Sequence, residues 1–264
     1  MGEKKRIVFK VGTSTLCHAA SGPNLRNIDL LARALTDIRN GGCDVILVSS
    51  GAIGVGTGKL RLGERPADLR LKQAASAVGQ CELMHIYDKL FGEYGAVVGQ
   101  ILFTKEDVDR PTVRQNLLGT FEALLGLGVI PVVNENDSVG IEEIESEQKV
   151  FGDNDTLSAV VATLVAADLL VILSDIDGLY DSNPRVNPDA RRIPVVSEID
   201  DRIVSLAGGV GSKFGTGGMV TKVSAARIAL KAGIEVIITD GSAPGNLYAA
   251  ARGEPVGTRF PVRA

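Results

Sequence analysis

Short apolar runs that alternate with helical patterns are the feature that most limits how this chain folds. Six runs bounded by turn residues have the length and composition of buried strands. Strands that alternate with helices imply right-handed crossovers and helices on both faces of one sheet. We therefore predict an α/β fold, a three-layer α/β/α sandwich with a mostly parallel central sheet. The predicted strands are residues 7–11, 45–48, 96–102, 129–133, 169–173 and 235–239.

The helical segments have recognisable starts and ends. The clearest one has Asn27 as a plausible N-cap and four apolar residues at helical spacing, and it stops at the Asn40-Gly41-Gly42 turn. Residues 177–196 contain two Asn-Pro turns, and we predict a hairpin excursion there. No Pro/Ser-rich linker, repeat or low-complexity block divides the 264 residues, so we expect a single domain, residues 1–264. Further helices are predicted at residues 67–91, 111–127, 156–166 and 219–232.

Composition and charge argue against several classes of protein. The chain is 45% hydrophobic and 23% charged, and its net charge of −4 offers no basic surface for nucleic acid. No uncharged apolar run reaches the roughly 18 residues that a membrane span needs. The first residues enter a strand without a signal-peptide pattern, so we expect a cytoplasmic protein. Cys17, Cys43 and Cys81 lack metal or disulfide spacing and are predicted to be reduced and buried.

Polar residues follow five of the six predicted strands. Ligands of open parallel sheets bind beyond the carboxyl ends of strands, so these residues are candidates for a site. A single cluster of Ser, Asn, Asp and Gly is more often a turn, but five clusters at one sheet edge favour a site. The clusters are Lys10 with Gly12, Thr13 and Ser14; Ser49, Ser50, Gly51 and Ala52; residues 134–137; Ser174 and Asp175; and residues 240–242.

A glycine-rich segment at residues 207–222 has the composition of a phosphate-binding loop. It contains six glycines and ends in Lys222 at the start of a predicted helix. Free backbone N–H groups, a helix N-terminus and a lysine together suit phosphate, although a flexible solvent loop is the alternative. Neither a P-loop motif nor a GxGxxG after the first strand is present, and HRD and DFG are also missing. Any phosphate chemistry therefore belongs to another architecture.

Lys10 and Asp155 each have an ordinary structural explanation as well. Lys10 ends an apolar strand, where its alkyl stem can lie along the sheet while the ammonium reaches the edge. Asp155 precedes a predicted helix and can be its N-cap. Three polar residues in a row beside Gly152 are more than a cap requires, so we keep both explanations open.

Seven motifs, in order along essentially the whole chain, resemble the amino acid kinase family. Within that family NEND, GDND and GTGGMVTK resemble the members that act on glutamate more than those that act on aspartate, acetylglutamate or uridylate. The motifs are VFKVGTST (residues 8–15), VSSGAIGVG (48–56), KQAASAVGQ (72–80), PVVNENDSV (131–139), FGDNDTLSA (151–159), LSDIDGLYDSNP (173–184) and GTGGMVTK (215–222).

The resemblance implies ATP-dependent phosphorylation of the γ-carboxylate of L-glutamate, giving L-glutamyl 5-phosphate and ADP in the first step of proline biosynthesis. It also implies Mg²⁺ carried mainly by the nucleotide, proline as a feedback inhibitor, and a homodimer or homotetramer. The alternatives are a sibling kinase acting on aspartate or acetylglutamate, a non-catalytic amino-acid or nucleotide sensor, and a redox enzyme on a Rossmann scaffold.

The resemblance also assigns roles to residues. Lys10 and Lys222 would neutralise the transferring phosphoryl group, and Asp155 would hold both lysines. No residue is assigned as a metal ligand. The amino-acid substrate would bind at Ser50, Gly51, Ala52, Asn134, Asp137, Asp153 and Asn154. ATP would bind at Lys10, Gly12, Thr13, Ser174, Asp175, Thr216, Gly217, Gly218, Met219, Val220, Thr221 and Lys222.

The resemblance divides the domain into two parts. The amino-acid side would come mainly from the N-terminal part and the ATP side from about residue 170 onward. We expect no C-terminal PUA domain of the kind that many bacterial members carry. Residues 141–150 are longer and more acidic than the family pattern before GDND.

Overall fold

The computed structural model describes residues 4–18, 22–140, 154–208 and 218–262. Their strands are the predicted apolar runs with ends shifted by one or two residues, together with three short strands; residues 96, 97 and 129 were wrongly included in the predicted strands. The strands are β1 (Arg6–Val11), β2 (Cys17–His18), β3 (Gly22–Pro23), β4 (Asp44–Ser49), β5 (Val98–Phe103), β6 (Ile130–Glu135), β7 (Leu169–Ser174), β8 (Glu235–Asp240) and β9 (Thr258–Phe260).

The central sheet has seven strands in the order β5-β6-β4-β1-β7-β8-β9. Six of them are parallel, and β9 runs antiparallel to β8 at one edge. Strand β1 lies in the middle, between β4 and β7. The prediction of a mostly parallel sheet is confirmed. The three-residue β9 was not predicted, because it is too short to show a period.

The predicted helices are present with small shifts at their ends. Leu25–Asn40 is capped by Asn24, whose side chain accepts a hydrogen bond from the backbone N of Asn27, so Asn27 as the N-cap was wrong. The helices are α1 (Thr13–Leu16), α2 (Leu25–Asn40), α3 (Ala52–Lys59), α4 (Leu69–Glu93), α5 (Lys105–Asp109), α6 (Pro111–Gly126), α7 (Asn154–Leu164), α8 (Asp201–Ala207), α9 (Met219–Lys231) and α10 (Pro244–Arg252).

The alternation of side chains along β1 divides the core into two clusters, one on each face of the sheet. Residues 7, 9 and 11 of β1 contribute to the cluster under α2, α4 and α10. Val8 contributes to the cluster under α6, α7 and α9. Lys10 shares the face of Val8, because alternate residues of a strand point to the same side. This register directs the Lys10 side chain toward α7 and α9.

Two glycines allow α3 and α4 to pack in direct backbone contact. A Cβ on Gly56 would stand 1.7 Å from the carbonyl oxygen of Ala75, and one on Gly79 would stand 1.8 Å from that of Ala52. No side chain fits in such a space, so both positions require glycine. This contact ties the start of α3 to the middle of α4.

The excursion after β7 folds back on itself as predicted. The backbone N of Asp181 donates to Arg191, and that of Ile193 donates to Leu179, so the two arms pair as in a hairpin. Cys17 and Cys43 are half-buried free thiols, whereas Cys81 is exposed on α4, so the prediction that it is buried was wrong. Across the described ranges, no helix combines the length and apolar character that a bilayer crossing requires.

Candidate active site

Three charged side chains meet at the carboxyl edge of the sheet. Lys10 comes from β1, Asp155 from the first turn of α7 and Lys222 from the first turn of α9. The Asp155 carboxylate lies between the two lysines, with Oδ1 2.6 Å from Lys10 Nζ and Oδ2 3.1 Å from Lys222 Nζ. The strand and the two helices thus bring residues from distant parts of the chain to one point.

The three side chains are buried and together carry a net charge of +1. Asp155 is 0% exposed, Lys10 4% and Lys222 5%. Burial by itself raises the pKa of Asp155, but Lys10 and Lys222 outweigh it and hold that pKa below its ordinary value. The carboxylate therefore stays ionised near neutral pH, and its lowered pKa makes it a weak proton acceptor. Two buried lysines beside one carboxylate carry an excess of positive charge, which favours an anionic ligand.

Among the described residues, no side chain caps the start of α9, which lies beside this cluster. Gly218 is the N-cap residue of α9 and has no side chain of its own to cap the first N–H groups. Thr221 Oγ1 lies 2.7 Å from Asp155 Oδ2 and fixes the helix start to the carboxylate. Gly12 lies on the other side, where a Cβ would stand 3.6 Å from Lys10 Nζ. Open N–H groups at a helix start beside two lysines are well suited to phosphate.

Asn154 extends the site from the charged cluster toward the ends of β4 and β6. Its Nδ2 donates to Asn134 Oδ1 at the end of β6 and to the carbonyl oxygen of Ser49 at the end of β4, both at 2.9 Å. Asn134 Nδ2 in turn donates to Gln80 Oε1 of α4 at 3.1 Å. Three carboxamides therefore form a hydrogen-bonded row across the ends of two neighbouring strands.

Asp137 follows β6 and faces the same region. The hydroxyl of Ser76 on α4 donates to Asp137 Oδ2, and Gln73 Nε2 donates to the carbonyl oxygen of Gly140 at 3.3 Å. A cleft lies here, and its walls include Lys72, Gln73 and Asp137. This cleft offers carboxylate and amide oxygens to a cationic group and a lysine to an anionic one.

The turn between β4 and α3 is the last part of the site on the side of Asn154 and Asp137. The backbone N of Ser50 donates to the Val11 carbonyl oxygen at 3.0 Å, which fixes the turn to the end of β1. Gly51 has φ +99°, a left-handed conformation that favours glycine, and α3 starts at Ala52. A helix N-terminus beside a serine hydroxyl is suited to a carboxylate.

Ser174 and Asp175 lie at the end of β7, next to β1. Ser174 is buried, and its carbonyl oxygen accepts from the backbone N of Gly241, which follows β8. Asp175 is exposed and pairs with Arg185 of the hairpin excursion at 2.8 Å. The turns after β7 and β8 therefore lie side by side at the same sheet edge as Lys10.

The sequence matches one family and several curated proteins. The sequence model of the amino acid kinase family matches residues 5–240. The chain belongs to this family. A protein from Listeria innocua named glutamate 5-kinase is 55% identical over 256 residues, covering 97% of this chain and 92% of that protein. A protein of the same name from Clostridium perfringens is 54% identical, covering 98% of this chain and 96% of its own length.

Two solved structures superpose on the chain over nearly its whole length. UMP kinase from Bacillus anthracis matches with a TM-score of 0.67 at 17% identity, covering 98% of this chain and 97% of that one. An isopentenyl phosphate kinase matches with a TM-score of 0.65 at 20% identity, covering 97% of this chain and 99% of that one. At these identities the likeness concerns the fold.

The predicted site residues fall into two groups on this amino acid kinase fold. Asp155 contacts both Lys10 and Lys222, and Asn134 and Asn154 are hydrogen-bonded. Asp155 lies within the first turn of α7 and binds lysines, so its alternative interpretation as the N-cap was wrong. The remaining candidates, Asp153, Thr216 and Gly217, and the segment 141–150 lie outside the described residues.

Two residues that contact the site were not predicted. Ser76 and Gln80 belong to the KQAASAVGQ motif, from which no role was predicted for either. Their spacing of four places them on one face of a helix, and this was the available signal. The sequence does not show what that face contacts.

Proposed function

We propose that this chain transfers the γ-phosphoryl group of ATP to the γ-carboxylate of L-glutamate, giving L-glutamyl 5-phosphate and ADP, the first step of proline biosynthesis. The observation that carries the proposal is the buried cluster of Lys10, Asp155 and Lys222 with its net positive charge. It occurs in a chain 54–55% identical to proteins named glutamate 5-kinase over nearly its whole length.

The chemistry requires positioning and charge rather than a base. A glutamate carboxylate has a reference pKa near ~4.3 and is already a nucleophile at neutral pH. Phosphoryl transfer spreads negative charge over the equatorial oxygens of the moving group. Lys10 and Lys222 supply the opposite charge, and Asp155 holds the two ammonium groups in place. Both lysines are fixed before substrate arrives, so little reorganisation is needed.

The nucleotide is assigned to the part of the sheet edge around β7, β8 and α9. Gly12 and Thr13 follow β1, and residues 216–222 include the start of α9, where the triphosphate meets the helix N-terminus. Ser174 and Asp175 line the nucleoside end. In the described residues no group of three or more His, Cys, Asp or Glu side chains is placed to hold a metal ion. By the resemblance to the family, the proposal keeps Mg²⁺ on the phosphate oxygens of the nucleotide.

Glutamate is assigned to the opposite half, around β4, β6 and α3. Ser50, with the backbone of Gly51 and Ala52, binds a carboxylate. Asp137 and Asn154 bind the ammonium end, supported by Asn134 and by Asp153. The γ-carboxylate then points toward Lys10, because Asn154 and Asp155 are adjacent in the chain.

Several wider features rest on the same proposal. The chain is one domain, with the amino-acid side before about residue 170 and the nucleotide side after it. The expected assembly is a homodimer or homotetramer in the cytoplasm, and proline is the expected feedback inhibitor. Light scattering that gives a monomer at all working concentrations would contradict the assembly.

The test is an acyl-phosphate trapping assay with the purified chain, MgATP and hydroxylamine. L-Glutamate should give the hydroxamate together with ADP, whereas L-aspartate and N-acetyl-L-glutamate should give little. A higher kcat/KM for either of these acids would identify a sibling kinase. Binding of amino acid or nucleotide without ADP formation would identify a sensor and refute the kinase activity.

A further inference from the structure

Helix α4 contacts the proposed glutamate site through one face, although none of its residues has been given a role in that site. Gln73, Ser76 and Gln80 follow one another at spacings of three and four, so they lie on one side of the helix. Each is hydrogen-bonded to the segment from Asn134 to Gly140. The KQAASAVGQ motif thus provides a surface on which this segment rests.

The hydrogen-bonded row of carboxamides has a fixed direction. The Ser49 carbonyl is a backbone acceptor and cannot turn, so the atom of Asn154 that faces it must be Nδ2. The same Nδ2 donates to Asn134 Oδ1, and this places Asn134 Nδ2 toward Gln80 Oε1. Both hydrogens of Asn154 Nδ2 are thereby used. Its remaining polar atom, the acceptor Oδ1, is the one available to a ligand.

The row of three carboxamides includes a buried polar atom that destabilises the fold. We therefore look for its role in the site and not in stability. Asn134 and Gln80 are 3% and 8% exposed. Within the part of the chain that the structure describes, Gln80 Nε2 is buried and has no hydrogen-bond partner. A buried donor without a partner is unfavourable, whereas apolar residues in place of both partners are often neutral. The Gln80 amide is therefore better explained by the hydrogen bond with which its Oε1 holds Asn134 in the orientation that Asn154 requires.

Ser76 fixes the orientation of the second acceptor side chain, Asp137. It is 4% exposed, and its hydroxyl donates to Asp137 Oδ2, which fixes how this carboxylate is turned. One helical turn of α4 thus holds Asp137 directly and supports the orientation of Asn154 through Asn134. Both present acceptors, and an acceptor pair with one negative charge suits an ammonium group.

We propose that Ser76 and Gln80 are positioning residues that turn the acceptor oxygens of Asp137 and Asn154 toward the α-ammonium group of the amino-acid substrate. They make the site specific for an amino acid over the corresponding acid without an amino group. This inference rests on the proposed glutamate kinase activity and adds the residues that set its selectivity.

The test compares glutamate with glutarate, which is glutamate without its amino group. For Ser76→Ala and Gln80→Leu, we expect the glutamate KM to rise about tenfold, the loss of roughly one well-made hydrogen bond. The kcat, the ATP KM and the inhibition constant of glutarate should each stay within about twofold, since these do not involve the ammonium group. Gln80→Glu keeps an acceptor oxygen toward Asn134 Nδ2 and should retain most of the glutamate affinity.

Matched controls are available on exposed surfaces. Ser205→Ala on α8 and Gln115→Leu on α6 make the same substitutions at exposed helical positions and should behave as wild type. If Gln80→Leu does not fold, Ser76→Ala decides the question. Unchanged glutamate KM values, or equal weakening of glutamate and glutarate, would refute the positioning role while leaving the kinase activity intact. A wild-type chain that does not phosphorylate glutamate would refute both.

Discussion

Asn154 and Asp155 are consecutive residues at the start of α7, and their side chains serve different halves of the site. Asn154 Nδ2 is bonded to the ends of β4 and β6, whereas the Asp155 carboxylate lies between Lys10 and Lys222. The first turn of one helix therefore fixes the distance between the amino-acid side and the phosphoryl side. A shift of α7 would disturb both sides together.

Removing either lysine should lower turnover and leave the fold intact. Each substitution, Lys10→Ala or Lys222→Ala, removes one charge aimed at the transferring phosphoryl group. We expect kcat to fall on the order of 10²-fold or more, by analogy with the loss of one transition-state donor. Steady-state kinetics measures the effect, and circular dichroism checks the fold. Lys231→Ala, at the exposed end of α9, is the matched control. Near-wild-type turnover would remove that lysine from the mechanism.

Asp155→Asn should destabilise the protein in a pH-dependent way. The substitution takes from two buried lysines the counter-charge that Asp155 supplies, which costs about 3–5 kcal/mol near neutral pH. The folded-state pKa of Asp155 is lowered, so its stabilising effect is complete above its unfolded pKa of about 3.9. That effect is lost as the pH falls through the folded pKa.

Thermal unfolding of wild type and Asp155→Asn from about pH 7 to about pH 3 checks this expectation. The difference in Tm between wild type and Asp155→Asn should be largest near neutral pH and should become smaller in acid. Asp88→Asn, at an exposed position of α4, should follow wild type throughout. A gap that is constant with pH would mean that the Asp155 charge does not stabilise the fold.

The sequence predicts the strands and the charged cluster well because each leaves a local signal. Lys10 stands out at the end of an apolar strand, and Lys222 follows a run of glycines at a helix start. The helix α3 was missed, because Gly54, Gly56 and Gly58 resemble a phosphate loop more than a helix. Gly56 allows α3 to contact α4 closely. This contact depends on tertiary packing, so the neighbouring sequence gives no sign of it.

The supporting residues are harder to predict for the same reason. Ser76 reaches Asp137 across 61 positions of the chain, and Gln80 reaches Asn134 across 54. Helical spacing places Ser76 and Gln80 on one face, but only the hydrogen bonds to Asp137 and Asn134 show what that face binds. The choice of Asn24 over Asn27 as the cap of α2 likewise depends on local backbone geometry.

Gly79→Ala should destabilise the protein and disturb the site at a distance. The new Cβ would meet the Ala52 carbonyl oxygen, so α3 and α4 must separate, at a cost of about 1–3 kcal/mol. The turn before α3 carries Ser50, so we also expect a higher glutamate KM. Denaturant unfolding and kinetics measure the two effects.

Gly92→Ala is the matched control in the same helix. A Cβ at Gly92 meets nothing within 4 Å, so this change should be neutral or stabilising by up to ~1 kcal/mol. Equal stabilities of the Gly79→Ala and Gly92→Ala variants would mean that the contact between α3 and α4 adapts at no cost.

Asp137→Ala should act mainly on glutamate affinity. An ammonium partner contributes equally in the ground state and the transition state, so its loss raises KM with little change in kcat. We expect glutamate KM to rise on the order of 10- to 100-fold, the range for a hydrogen bond to a charged group. Asp88→Ala provides the exposed control on α4. A raised ATP KM with unchanged glutamate KM would show that the two subsites are interchanged.

Proline should inhibit this chain by competing with glutamate. Proline has a carboxylate and an ammonium group on the same carbon, as glutamate has, so a site built from Ser50, Asp137 and Asn154 accepts its charged end. It lacks the γ-carboxylate and cannot be phosphorylated. Raising the glutamate concentration should therefore move the proline inhibition curve to higher proline, and Asp137→Ala should weaken both ligands.

N-Acetylproline tests which group is recognised in this competition. It keeps the ring and the carboxylate but has no ammonium charge to offer Asp137 and Asn154, so inhibition should be weak. Initial rates over a grid of glutamate and proline concentrations measure the competition. Proline inhibition that is independent of glutamate, or equally strong inhibition by N-acetylproline, would place the proline site outside the proposed glutamate pocket.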